Sequence, residues 1–383
     1  MTAVFLILAV LGALGAVPVI FLAGRWVWRR WRRQPDPSPA TKEDVAEIKQ
    51  TVDELRSQLS TYLDGLPQAT PEVRGPFEEG RRLQQAEEHE AAIREFEKAF
   101  AAAENDRQRS ALHILIGNSF SVLSRFPEAE GHYKQALTTA RHITDSQAEA
   151  AALGNLGITS AERGAFADAK QCFEKALAIH EEIGNELGQA NQLCNLGIFH
   201  GQKGDPDKAE ECLKQALHIH QQIGNRLGQA KALGNLGNVY FKRAEPGDLD
   251  KAEEHYNKAL VIDQEIGYRL GQAAAFIALA NVYVVKDSPD KAQEYYMRAL
   301  AIHQDIGHRL GEATTLLNLG VLHKFGKKPR QALRYLREAR RILAEVGASA
   351  GVQKADELIA GLETASPPKP KRKHARRKPP PKP

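Results

Sequence analysis

The chain has 383 residues, 42% hydrophobic and 26% charged, enough for two or three ordinary domains. Three cysteines, Cys172, Cys194 and Cys212, form no CxxC pair; this excludes a disulfide framework or a zinc site and fits a reducing compartment. The net charge of +4 conceals a segregation: residues 1–33 carry five Arg and no acid, residues 366–383 carry eight Lys/Arg and no acid, and the stretch between has 39 basic and 48 acidic side chains.

Ala3 to Gly24 is a run of 22 residues without a charge. At a rise of ~1.5 Å per residue it would make a rod of about 33 Å, enough for a hydrocarbon core of about 30 Å. No Lys or Arg precedes it, as a cleaved leader would require, so residues 1–33 are expected to be an uncleaved transmembrane anchor. Trp26, Trp28 and Trp31 suit the headgroup interface, and Arg25, Arg29, Arg30, Arg32 and Arg33 suit anionic lipid on the cytoplasmic side. The expected topology is single-pass, with the N-terminus outside and the body in the cytoplasm. Residues 34–40, rich in proline, form a stiff spacer. Within residues 41–66, Val45, Ile48, Val52, Leu55, Leu59, Tyr62 and Leu66 alternate steps of three and four, a heptad helix. That helix either caps the following domain or pairs with a second copy as a parallel homodimer.

Residues 73–347 repeat every 40 positions. Gly117, Gly157, Gly197 and Gly237 open the series, and Ala280 and Gly320 continue it after an insertion of three residues at Arg243–Asp250; Gly80 holds the same place in the first copy. Each copy has two further small residues, as in Gly157, Ala169 and Ala176, where crossing helices would be forced apart by a larger side chain. A fixed period of this length predicts stacked helix–turn–helix units. Each unit should read helix A, tight turn, helix B and a longer link, with Gly164 ending helix A at a left-handed position. Pro76 and Glu79 mark the first copy as a worn end, and residues 348–364 read as a capping helix over the last apolar face.

In the fifth copy Leu233, Leu236-Gly237, Tyr240, Ala252, Tyr256 and Ala259 resemble the tetratricopeptide-repeat motif. The long unit, with recurring Gly-Asn-Leu-Gly-Asn and Leu-Gly-Gln-Ala, is similar to repeats of Pins/LGN-type polarity scaffolds and kinesin light chains. The resemblance implies an all-α, right-handed superhelix of about seven repeats plus a cap, and a peptide-binding adaptor whose A helices line a concave groove. On that implied face stand Asn118, Asn155, Asn195, Asn235, Asn238, Asn281 and Asn318, which carry both donors and an acceptor for an extended peptide backbone. Asn155, Asn195, Asn235 and Asn318 could instead bond the neighbouring repeat. Lys231 and Lys242 add local charge.

His180, His220 and His303 recur at one helix-B position, which marks a structural place rather than a catalytic one. No metalloprotease motif, phosphate loop or nucleophile elbow is present, so neither an enzyme nor a metal or other cofactor is expected. The tail at 365–383 is Pro-rich and basic, with a composition that favours disorder and a contact with anionic lipid or with the acidic repeats. The sequence thus supports a membrane-anchored adaptor for an extended peptide or helix. A self-assembling membrane scaffold is the second reading. Nucleic-acid tethering through the tail is a weaker third, so nucleic acid is not the expected partner.

Overall fold

The computed structural model describes residues 69–85 and 88–365. The anchor, the spacer, the heptad helix and the tail from residue 366 lie outside the described residues. Among the described residues no helix is long and apolar enough to cross a membrane.

The described chain is helical throughout. Seven hairpins follow one another: α1 (Pro71–Gln85) with α2 (His89–Ala102), α3 (Asp106–Val122) with α4 (Phe126–His142), α5 (Ser146–Glu162) with α6 (Phe166–Glu182), α7 (Glu186–Gln202) with α8 (Pro206–Gln222), α9 (Arg226–Arg243) with α10 (Asp248–Glu265), α11 (Arg269–Val285) with α12 (Pro289–Ile306), and α13 (Arg309–Phe325) with α14 (Pro329–Glu345). The last helix, α15 (Ser349–Ala365), packs on α14. Each hairpin therefore matches one copy of the repeat, and α15 is the expected cap. It buries Ala355 and Leu362 and adds an ion pair from Arg337 to Glu363 at 2.7 Å. Pro76 lies inside α1, where it removes one helical hydrogen bond, as suits a terminal element.

The expected long link after helix B is not observed. In the third copy α5 and α6 each span 17 residues, and three residues connect α6 to α7, as many as connect α5 to α6. Both connections use the same device. Gly164 (φ 78°) and Gly184 (φ 66°) take the left-handed conformation that ends a helix, and the next helix starts at once. The Asn185 side chain then accepts the Gly188 N–H at 2.9 Å, capping α7. The extra length of the repeat is thus spent on helix, which gives each hairpin a longer seam.

Small residues close that seam. A Cβ placed on Gly157 would meet the Phe173 ring at 2.5 Å, while Ala169 and Ala176 have no exposed surface. Phe173 itself is 2% exposed, a burial worth roughly 2–3 kcal/mol. Between hairpins a second contact repeats. The rings of His180, His220 and His303 lie against the backbone of Gly188, Gly228 and Gly311, eight residues on, where a Cβ would come within 2.3–2.4 Å of a ring atom. In the second copy the same two places hold Ala140 and Ala148. A large side chain at the first place is matched by a missing one at the second. The histidines are therefore the packing residues the repeat predicted. Burial lowers the pKa of all three, that of His220 to about 4.

The chain divides into two compact units, one ending at Ile266 and the other beginning at Gly267. The first holds α1–α10 and the second α11–α15. Inside the first, Arg226–Glu265 ties the start of an A helix to the end of its B helix, and Arg107 at the start of α3 reaches Asp145, the N-cap of α5; Arg269–Asp305 and Arg309–Glu345 make the first kind of tie in the second. These exposed pairs add little stability individually.

Candidate functional site

In the first unit α3 touches α5, α5 touches α7 and α7 touches α9, whereas no comparable contact joins successive B helices. The A helices therefore form one inner surface. Its side chains fall into two rows set by the recurrent small residue. Two positions before it stand Asn155, Asn195 and Asn235, all half-buried. One position after it stand Asn118, Ile158, Ile198 and Asn238.

The second row obeys a pairing with helix B that sequence reasoning had missed. The Tyr133 hydroxyl donates to Asn118 Oδ1 at 2.8 Å and the Tyr256 hydroxyl to Asn238 Oδ1 at 2.8 Å. In the second unit the Tyr296 hydroxyl donates to Asn281. Where helix B carries Phe173, Leu213 or Leu336 instead, helix A carries Ile158, Ile198 or Val321. A buried hydroxyl needs an acceptor, and a buried ring without one tolerates an apolar neighbour. Each Asn of this row thus spends its oxygen inside the hairpin, while its amide N–H groups make no hydrogen bond among the described residues. The signal was legible as a correlation between positions of the same repeat.

The first row behaves differently from copy to copy. Asn155 Nδ2 donates to Asn118 Oδ1 of the preceding repeat at 3.2 Å, the neighbour contact that was one of the two readings. Asn195 Nδ2 donates to Gln192 in its own helix at 3.3 Å. Asn235 makes no side-chain hydrogen bond among the described residues and lines a groove between α7 and α9. This groove, with a volume of about 330 Å³, is walled by Ile198, Gly201, Gln202, Asn235, Asn238, Val239 and Lys242 and floored by Leu213. Ile198 is 41% exposed here and Ile158 39% exposed one repeat earlier. The surface is therefore not the uniform amide ladder expected from sequence but amides alternating with apolar side chains. Ile198 and Val239, absent from the expected site, are part of it.

Of the two lysines singled out in the sequence, Lys242 borders this groove. Lys242 is exposed, while its neighbour Arg243 is committed to the inserted turn. Arg243 grips Asp248 through two hydrogen bonds of 2.7 and 2.9 Å and reaches Glu210 at 3.1 Å. Asp248 is fully enclosed, and the guanidinium holds its carboxyl down at about 2. The insertion is therefore a clamped turn that fixes one wall of the groove. Lys231, also exposed, acts on buried groups of neighbouring helices. Burial pushes Cys194 up to about 12 and Asp263 up to about 7, and the Lys231 charge opposes both shifts. Cys172 and Cys212 are half-buried free thiols pushed up by burial as well.

In the second unit Asn318 is half-buried on α13, and Asn281 is the Tyr296 acceptor already described. The arginines and tryptophans assigned to a membrane interface, Arg25 to Arg33, lie outside the described residues. Among the described residues no group of three His, Cys, Asp or Glu could hold a metal ion. The site offers amide donors, apolar side chains and ammonium charge, a chemistry of recognition with no nucleophile–base pair.

Stacked helical hairpins whose A helices share an inner face of amides alternating with apolar side chains define a helical-repeat solenoid. The tetratricopeptide-repeat family model matches residues 107–182, 189–265 and 272–345, more than half of the chain, and the protein belongs to that family. Among curated protein sequences none matches. Solved structures with a similar fold include a Rap protein complexed with competence and sporulation factor (14% identity, covering 85% of this chain and 98% of that one, TM-score 0.56). Aspartyl phosphate phosphatase F from Bacillus subtilis is similar at 12% identity, covering 89% of this chain and 92% of that one, with TM-score 0.57. A signal-transduction ATPase with a tetratricopeptide-repeat sensor from Pyrococcus horikoshii is similar at 14% identity, covering 82% of this chain and 51% of that one, with TM-score 0.56. At these identities the likeness concerns the fold.

Proposed function

We propose that this protein is a membrane-anchored adaptor that holds an extended segment of a partner protein along the A helices of its first unit. The observation that carries the reading is the groove between α7 and α9, where Asn235 and the free N–H groups of Asn238 stand beside Ile198 and Lys242. An extended peptide presents carbonyls at each residue and side chains on alternate sides. Amides bond the carbonyls, and Ile158 and Ile198 take an apolar side chain between them. Lys242 favours an acidic residue in the partner.

The 22-residue uncharged run and the arginines after it support anchoring by residues 1–33 with the repeats on the cytoplasmic side. The heptads of residues 41–66 support pairing of two copies above the bilayer, which would raise avidity for a partner that is itself dimeric. The test is site-specific photo-crosslinking from residues 235 and 242 of the full chain in membranes, with residue 174 on the outer face of α6 as the control. One shared adduct from 235 and 242, absent from 174 and lost in Ile198→Asp, supports the groove. An adduct pattern identical at all three positions removes it. Digestion of the repeats by protease added outside intact cells or spheroplasts would overturn the topology.

A further inference from the structure

The last hairpin carries a surface unlike the rest of the described residues. Lys324, Lys327, Lys328, Arg330 and Arg334 lie within eleven residues that contain no acid. All but the half-buried Lys324 are exposed. None of the five has an acidic partner among the described residues, although the arginines just beyond them do. Arg337 pairs with Glu363, Arg340 with Asp356, and Arg341 with Glu338 and Glu345. Near the start of this run Phe325 is 75% exposed, more than any other large apolar side chain described. At the corresponding end of α11, one repeat earlier, Val285 is 55% and Val284 40% exposed. The turn beside those valines is balanced in charge by Asp287 and Asp290 against Lys286 and Lys291.

Bare apolar side chains beside unpaired ammonium and guanidinium groups cost solubility unless something complementary covers them. The chain's own ends do not complement them. Residues 366–383 hold eight Lys/Arg and no acid, and residues 25–33 hold five arginines and no acid, so both repel the run. The occupant that complements them is anionic. Nucleic acid satisfies the charges but has no use for two valines. A bilayer satisfies both, because apolar side chains settle beneath the headgroups while Lys and Arg sit among the phosphates.

We propose that the turn edge of the second unit docks on an anionic bilayer surface, with Phe325 and Val285 entering the interface and Lys324, Lys327, Lys328, Arg330 and Arg334 contacting lipid phosphates. This deepens the membrane placement proposed above but does not require residues 1–33 to span a bilayer. Each basic residue close to such a surface strengthens binding about fivefold, so the five together contribute about a thousandfold or more at low salt.

The experiment is hydrogen–deuterium exchange on the full chain with vesicles of phosphatidylcholine alone or mixed with phosphatidylserine. Protection of residues 322–336 is expected on the phosphatidylserine vesicles, weakening as salt rises and missing on phosphatidylcholine. A variant with Lys324→Gln, Lys327→Gln, Lys328→Gln, Arg330→Gln and Arg334→Gln should lose that protection while the slow amides of α13 and α14 stay slow, which shows the fold intact. Phe325→Ser should reduce it, and Lys324→Arg, Lys327→Arg and Lys328→Arg together should keep it. The proposal is overturned if phosphatidylserine vesicles leave 322–336 unprotected, or if protection survives the five glutamines. It is equally overturned if an oligonucleotide protects the segment and the vesicles do not. Since the readout is local, recruitment by the basic tail does not mimic it. Protease protection of residues 1–24 reports separately on the anchor.

Discussion

Exchanging one hairpin's Asn–Tyr pair for its neighbour's Ile–Phe pair separates packing from recognition. Asn238 accepts from the Tyr256 hydroxyl at 2.8 Å, and Tyr256 is only 3% exposed. Replacing Asn238 by Ile leaves that hydroxyl enclosed without an acceptor, at a cost of about 1–3 kcal/mol. Tyr256→Phe alone leaves an exposed amide that water can serve, so it should cost about 1 kcal/mol or less. The double variant reproduces the Ile158–Phe173 pair of the third copy and should lie within roughly 0.5 kcal/mol of the parent, a coupling of about 1–2 kcal/mol. Stacked repeats open piecewise, so the measurement is native-state hydrogen exchange on the amides of α9 and α10 rather than one global melting curve. The double variant should also stay deficient in photo-crosslinking from residue 235, because stability has been restored without the Asn238 N–H donors. Additive single costs, with no rescue, would refute the pairing.

Four further outcomes follow from these contacts and charges. Gly188→Ala drives a Cβ to within 2.3 Å of the His180 ring and should cost about 1–3 kcal/mol; adding His180→Ala, which copies Ala140 and Ala148, should relieve the overpacking, though the lost ring leaves some cost, as local exchange in α7 would show. Asp263 has a folded pKa near 7, raised by burial, so its contribution weakens as pH rises through 7; Asp263→Asn should be more stable than the parent by several kcal/mol at pH 8 and nearly equal to it at pH 4 in paired denaturation curves. His220 titrates in the opposite sense, since burial depresses it to about 4, so the parent should lose stability as pH falls below about 6.5. His220→Gln should flatten that acid limb, and an unchanged limb would remove His220 from it. Lys242→Glu should weaken crosslinking from residue 235 by several-fold without altering exchange in α9, whereas an effect on exchange alone would assign Lys242 to the scaffold.

Family and hairpin number were legible because the repeat restates one local solution seven times, with a small residue on helix A meeting a large apolar or aromatic side chain on helix B in each copy. The roles of His180, His220 and His303 followed from that recurrence. The pairings of Asn118, Asn238 and Asn281 with tyrosines were present as correlations but became physical only with distances.

By itself the sequence determined what local chemistry controls: where helix A ends, because Gly164 tolerates a left-handed backbone, and which faces are buried, because apolar residues recur at helical spacing. Only the tertiary structure decided how the polar face is divided. Asn155 is spent on its neighbour, Asn238 is half spent on Tyr256, and Asn235 stands open in a groove with Ile198. It also showed that Arg243 closes a turn and that Lys324 to Arg334 lack counter-charges. Identical residue types part ways here because a hydrogen bond depends on what another helix brings within about 3 Å, and spacing along one helix does not contain that distance.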